Sequence, residues 1–373
     1  MLRRLLVQLF MKLLENLRHL KFMRNFMKIK FTRNFWLGFV GGLAFVLLFF
    51  VWVFLLGVQA GKHGSFYNQG KNAVWIGHEW AQVPKTDNQI FGLVDELQSH
   101  DIDTIYLHTG PLGYDGSIAP EIYAETVNFV SKVQYYDPDM KVYSWLGQLR
   151  HKIDLADPAV RHRILNMCVI FTGMIGMDGV HYDIEPVWDE DEDFILLLRE
   201  TREEFDRLGA ADGGSKERLI SVALSEFIPH SFIWWTEQVA GFENYNTEEN
   251  YLNVAQYADQ IVGMVYDTGI DQSYLYKWLV KEQVIWVTNL LAEASGDEIA
   301  GVAGTEFLIG IPSYDDENEG FDPEVENIGT ALTGVIRGLD DIRSEEGFFT
   351  GVAVYSQWET DEVEWRVYDS LWK

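Results

Sequence analysis

The chain has 373 residues, 47% of them apolar and 14% aromatic, which is material for one large domain or two medium ones and excludes a wholly unfolded chain. A single cysteine, Cys168, rules out an intrachain disulfide framework, and no Cys/His spacing resembles a zinc site, so neither a metal nor a cofactor is expected. The net charge of −28 is unevenly spread: residues 1–34 carry nine Lys/Arg against one acid, Glu15, which leaves −36 on the remainder. So acidic a body repels phosphate backbones, and a nucleic-acid partner is disfavoured.

Residues 2–20 place Leu2, Leu5, Leu6, Leu9, Leu13, Leu17 and Leu20 at helical spacing among basic residues, as an interfacial helix would. Residues 35–58 follow, 24 in a row without a charge. As helix they would measure ~36 Å against a hydrocarbon core of ~30 Å. The basic flank lies wholly on the N-terminal side, so the positive-inside rule predicts a cytoplasmic segment at 1–34, a transmembrane helix at 35–58 and an extracytoplasmic body. Small residues at Val58-Gln59-Ala60 leave a cleaved signal peptide as the competing reading, but the apolar run exceeds the ~7–15 residues of an ordinary signal core. Residues 59–70 are polar and Gly-bearing, as in a linker.

From 71 to 373, short β-rich apolar runs alternate with longer amphipathic stretches. The predicted strands are Ala73–Gly77, Thr104–His108, Lys141–Leu146, Gly179–Ile184, Leu219–Leu224, Gln260–Tyr266, Phe307–Ile311 and Gly351–Tyr355. Helical patterns between them cover Ile90–Ser99, Pro120–Gln134, Ala159–Thr172, Asp193–Leu208, Leu275–Ala294 and Ile328–Arg343. Eight alternations without a Gly-rich phosphate loop predict a closed (β/α)8 TIM barrel preceded by one transmembrane helix, rather than an open doubly wound sheet.

In such a barrel the chemistry sits at the C-terminal ends of the strands. Those positions hold the acids Glu79, Asp183, Glu185, Glu226, Asp267 and Glu359, among the aromatics Trp75, Trp145, Tyr266, Tyr314, Tyr355 and Trp358. Carboxylates move protons and flat rings stack on pyranose faces, so the mixture suits sugar chemistry; Glu79 and Glu359 taken alone read as solvated loop residues. The fourth strand stands apart. Its polar residues His181, Asp183 and Glu185 recur at period two and share one face, while Val180, Tyr182 and Ile184 share the other. Three ionisable groups aimed into a barrel carry a large desolvation cost, which points to function rather than structure.

Here the chain resembles the family 18 glycoside hydrolases, the chitinase family, whose fourth strand reads DGxDxDxE. This sequence reads DGVHYDIE from Asp178 to Glu185, with His181 in place of the middle Asp. The resemblance extends to Met264-Val265-Tyr266-Asp267, similar to the family's MxYD, and to Trp358 after the eighth strand. It implies that Glu185 protonates the glycosidic oxygen and that Asp183 orients a 2-acetamido group whose carbonyl oxygen attacks the anomeric carbon. Tyr266 would donate a hydrogen bond to that group, Asp267 would help hold the sugar, and Trp358 would be its floor. Asp178, His181, Tyr314, Trp145 and Glu226 complete the candidate substrate-binding set. A neutral His181 is expected to bond to Asp183, and its protonation to cut activity on the acid side.

The expected function is therefore a membrane-anchored, extracytoplasmic glycosidase acting on N-acetylhexosamine-containing glycans by a substrate-assisted retaining route. A non-catalytic carbohydrate-binding barrel, or a two-carboxylate glycosidase pairing Glu185 with Glu226 or Asp267, are the alternatives.

Overall fold

Eight parallel strands close into one barrel in strict sequence order. They are β1 (Asn72–Ile76), β2 (Ile102–His108), β3 (Lys141–Leu149), β4 (Gly179–Glu185), β5 (Leu219–Leu224), β6 (Gln260–Met264), β7 (Glu306–Pro312) and β8 (Phe349–Tyr355). The computed structural model describes residues 66–373 except 215, 231–244, 298, 300 and 316–319. The expected cytoplasmic segment, transmembrane helix and most of the linker lie outside the described residues; among those described, no helix is long and apolar enough to cross a membrane.

Among the described residues, one longer helix follows each strand: α1 (Asp87–Ser99), α2 (Thr126–Tyr136), α3 (Pro158–Val169), α4 (Glu192–Ala211), α5 (Glu248–Ala255), α6 (Ser273–Gly296), α7 (Ile328–Leu339) and α8 (Glu362–Leu371). Their starts are written in the sequence. Thr86 with Gln89 and Asp361 with Glu364 form capping boxes before α1 and α8, each satisfying orphan amides of the first turn. The helical pattern predicted over Ala159–Thr172 continues past α3 as a π-helical turn, Ile170–Ile175, and stops at Gly176 in the left-handed conformation.

Strand period two divides the barrel into two cores. Outward residues such as Ile105, Val142, Val180, Tyr182, Ile184 and Ile309 pack under the helices. Inward residues form a second cluster: Ala73, Trp75, Tyr106, Tyr143, Trp145, Val262, Leu308 and Ala353. Across it runs a polar belt. Trp75 Nε1 donates to His181 Nε2 at 3.1 Å, and His181 Nδ1 meets Ser221 Oγ at 2.8 Å. Ser221 Oγ and Tyr106 Oη both donate to Gln260 Oε1, at 2.8 and 2.5 Å.

The segment before β1 departs from expectation. Tyr67 donates to Asp340, Asn68 to Asp101, and Gln69 to the Phe349 carbonyl, so the last residues of the predicted 59–70 linker are fastened to the N-terminal end of the barrel. Their side chains carry donors that the ends of β2 and β8 leave work for, which composition alone reads as solubility.

Candidate active site

The C-terminal end of β4 carries the decisive pair. Asp183 and Glu185 point inward from alternate positions, close enough for each carboxyl to feel the other. Burial pushes the Glu185 carboxyl far above its ordinary range, and the negative charge of Asp183 pushes it further, with smaller contributions from Asp267 and Glu226. Glu185 therefore holds its proton at neutral pH, as a general acid must.

Trp145, on β3 beside Asp183, donates its indole N–H to Asp183 Oδ2 at 2.7 Å. The ring can lie there because residue 147 is glycine: a Cβ at that position would sit 3.3 Å from Trp145 Nε1. The second oxygen, Asp183 Oδ1, is buried and has no hydrogen-bond partner. A buried acceptor without a partner costs free energy until a donor arrives.

Aromatic rings wall the carboxyl pair. Tyr355, at the end of β8, stacks on Tyr266 with centroids 5.5 Å apart and planes 20° apart. It also meets Trp75, Trp145, Tyr314 and Trp358 edge-on at 5.5–6.2 Å. Tyr266 needs the neighbouring β7 to be bare, since a Cβ at Gly310 would lie 3.0 Å from its ring. The Tyr266 hydroxyl is held well above its usual acid range by burial and then by Glu185, so it stays a donor. Asp267 follows at φ +58°, a left-handed conformation uncommon outside glycine though Asp adopts it more readily than most, and accepts a hydrogen bond from Tyr314 Oη at 2.9 Å.

Behind these groups lie two more buried carboxyls. Burial raises Glu226 to about 8 and Glu326 to about 7. His108, next to Trp145 at a ring distance of 4.4 Å, is pushed the other way, down to about 4, by burial and then by His78.

Aromatic rings thus surround a protonated acid and its neighbouring carboxyl at the mouth of a (β/α)8 barrel. Residues 79–370 match the model of the glycosyl hydrolases family 18. The chain belongs to that family. Among curated proteins, none matches the chain. Solved structures share the fold at low identity. The Group IV chitinase of Ostrinia furnacalis is 16% identical with a TM-score of 0.52, over 81% of this chain and 98% of that one. The C-terminal domain of a chitinase-like protein of Desulfitobacterium hafniense is 14% identical with a TM-score of 0.52, over 81% and 99%. The spore cortex-lytic enzyme SleL of Bacillus cereus is 13% identical with a TM-score of 0.51, over 81% and 74%.

Within this family 18 barrel the predicted residues divide in three. Glu185, Asp183, Tyr266, Asp267, Tyr314 and Trp145 come together at the mouth, and Glu226 lies in the buried layer behind them. Asp178 does not join them: it precedes β4 at the opposite end, where Oδ2 accepts the Val142 amide at 2.9 Å. It braces the other end of the strand, because seven residues at ~3.3 Å each put it ~23 Å from Glu185 along β4. His181 is fully buried below Asp183 and also lies out of a substrate's reach. Its expected bond to Asp183 is replaced by the bonds to Trp75 and Ser221. An indole only donates, so Nε2 must accept and Nδ1 must carry the proton. A second proton on Nε2 would face the Trp75 N–H, and burial alone lowers His181 to about 3. The expected acid-side switch is therefore absent from the working pH range.

Trp358 is 42% exposed, at the rim. Tyr355, whose hydroxyl is raised to about 12 by burial and then by Asp183, Glu185 and Asp267, is the ring set among the carboxyls, deeper than Trp358. Trp75, read from sequence as site surface, is buried beneath it. Sequence reasoning gave no role to His108, although inward-facing Tyr106 two residues earlier signals its direction, nor to Glu326, which lies in a loop where no periodicity speaks.

Proposed function

We propose that the chain is a membrane-anchored glycosidase whose barrel faces outside the cell and hydrolyses glycans containing N-acetylhexosamine. The observation that carries the reading is Glu185, kept protonated by burial and by Asp183 at the end of β4. It gives its proton to the glycosidic oxygen as the bond to the anomeric carbon breaks. The 2-acetamido oxygen of the same sugar attacks that carbon, and water then opens the cyclic intermediate with retained configuration, Glu185 now acting as base. Asp183 Oδ1, buried and without a donor, suits an acetamido N–H; Trp145 fixes the other oxygen. The hydroxyl of Tyr266 and the ring of Tyr355 would meet the reacting sugar.

The two-carboxylate alternatives are less well supported. Glu226 is buried and protonated at neutral pH, a poor nucleophile, and Asp267 is engaged by Tyr314. The anchoring reading rests on the apolar run at 35–58 and its basic flank.

The deciding experiment is incubation of the protein with N-acetylhexosamine oligomers, following the anomeric protons of the first product by NMR. Cleavage with retained configuration, abolished in Glu185→Gln, is expected. Inverted product would overturn the substrate-assisted route, and equal turnover by the variant would remove Glu185 from the role of acid.

A further inference from the structure

Asp267 holds a backbone conformation that costs a non-glycine residue about 1–3 kcal/mol and persists only where the surroundings over-determine it. Gly269, two residues on, is also left-handed, so the chain after β6 makes a tight, strained exit. What holds that exit comes from the loop before α7. Thr268 Oγ1 donates to Glu326 Oε1 at 2.6 Å, and the Thr268 amide faces both oxygens at 3.2 and 3.4 Å. The Gly269 amide donates to the Gly320 carbonyl at 2.7 Å, and the Ile270 amide to Thr268 Oγ1 at 3.3 Å.

Glu326 is wholly buried. Its own backbone is fixed on both sides, by its amide donating to the Asp322 carbonyl at 2.8 Å and by Asn327 capping α7. Burying a carboxyl whose hydrogen bonds, among the described residues, go only to Asp267 and Thr268 is a poor way to stabilise a loop, and an apolar side chain of similar size would cost less. The hydroxyl and amide it engages belong to the residue directly after Asp267. The carboxyl therefore sets the direction in which Asp267 leaves the strand.

We propose that Glu326 is a positioning residue: by clamping Thr268 it keeps Asp267 left-handed, so that the Asp267 carboxylate meets Tyr314 and the sugar. This rests on the reading of Asp267 as a sugar-holding group, but the clamp itself is a statement about backbone geometry.

Crystal structures and kinetics of the full chain in detergent test it, with the variants Glu326→Ala, Glu326→Gln and Thr268→Val. In Glu326→Ala the φ of Asp267 should turn negative and the Tyr314–Asp267 hydrogen bond should be lost. With N-acetylhexosamine oligomers, KM should rise about tenfold with a smaller change in kcat, as expected when a group that holds substrate in both ground and transition states is displaced. Glu326→Gln keeps an acceptor for Thr268 and should restore KM to within about threefold of the parent. An Asp267 that stays left-handed and bonded to Tyr314 in Glu326→Ala overturns the proposal. So does a variant that is only less heat-stable, with KM and kcat unchanged. If Glu326→Ala does not fold, the same two readouts on Thr268→Val decide. If the parent cleaves no N-acetylhexosaminide, the functional reading fails, and the backbone comparison still judges the clamp.

Discussion

Removing the indole N–H of Trp145 while keeping an aromatic ring isolates one bond in the site. In Trp145→Phe, Asp183 Oδ2 loses its 2.7 Å donor while Oδ1 is already without one, so the carboxyl beside Glu185 loses the bond that fixes its direction. A hydrogen bond to a charged group contributes about 1.5–3 kcal/mol, and its loss inside a cleft frees the side chain to rotate. If that bond is needed to aim Asp183 in the transition state, kcat/KM should fall roughly 10- to 150-fold, mostly in kcat. Initial-rate kinetics on an N-acetylhexosamine oligomer measure it, with near-UV circular dichroism reporting whether the aromatic wall is intact. A loss below about threefold with an unchanged spectrum would mean that Trp145 fills space and that something else aims Asp183.

Other substitutions probe different links. Glu185→Gln should lower kcat by at least ~10²-fold while oligomer binding, read by calorimetry, persists. In wild type, activity should fall on the alkaline side as Glu185 loses its proton, and a profile flat to high pH would refute the assignment of the acid. Glu226 binds its proton up to about 8 when folded, against an ordinary value of 4.5 in the unfolded chain. Stability at this site therefore falls as pH rises through that window, and Glu226→Gln should gain about 3 kcal/mol on wild type between pH 4 and 7, measured by urea unfolding. A gap that does not grow with pH would contradict the burial of that carboxyl. Because His181 stays neutral down to about 3, wild type should show no acid limb near pH 6, and a limb there that vanishes in His181→Asn would be fatal to the fixed-tautomer argument. Protease added to intact cells should remove a barrel epitope and spare an N-terminal tag; protection of both would contradict the proposed topology.

The strands were legible because each is a short apolar run, buried on both faces, bounded by polar residues; the predicted starts and ends differ from the observed ones by a few residues. The helix after β5 was not, since Glu248–Ala255 is only eight residues and its buried Asn250 breaks the apolar stripe. The inward run His181-Asp183-Glu185 was readable from period two alone, but period two says nothing of height. His181 lies one layer lower than Asp183, and that is why it bonds across the barrel to Trp75 and Ser221. Trp358 and Tyr355 are both aromatic and three residues apart, and only the course of the chain after β8 separates the exposed ring from the one among the carboxyls. Glu326 and Thr268 are 58 positions apart in loops, a pairing that no local pattern announces.

The loops after β3 and β4 share one ion pair. Arg150 grips Asp191 through Nε at 2.6 Å and Nη2 at 2.8 Å, its guanidinium lies 5.9 Å from the Trp188 ring, and the same Asp191 caps α4 by accepting the Phe194 amide. One carboxylate thus ties a helix start to the neighbouring loop. For anyone transplanting loops between barrels, these two segments are one part: a graft that brings a new β3 loop without arginine would strand a buried aspartate and loosen the first turn of α4 together. Segments 149–153 and 186–194 should therefore be exchanged as a matched set, and libraries that randomise one alone should lose most of their folded members.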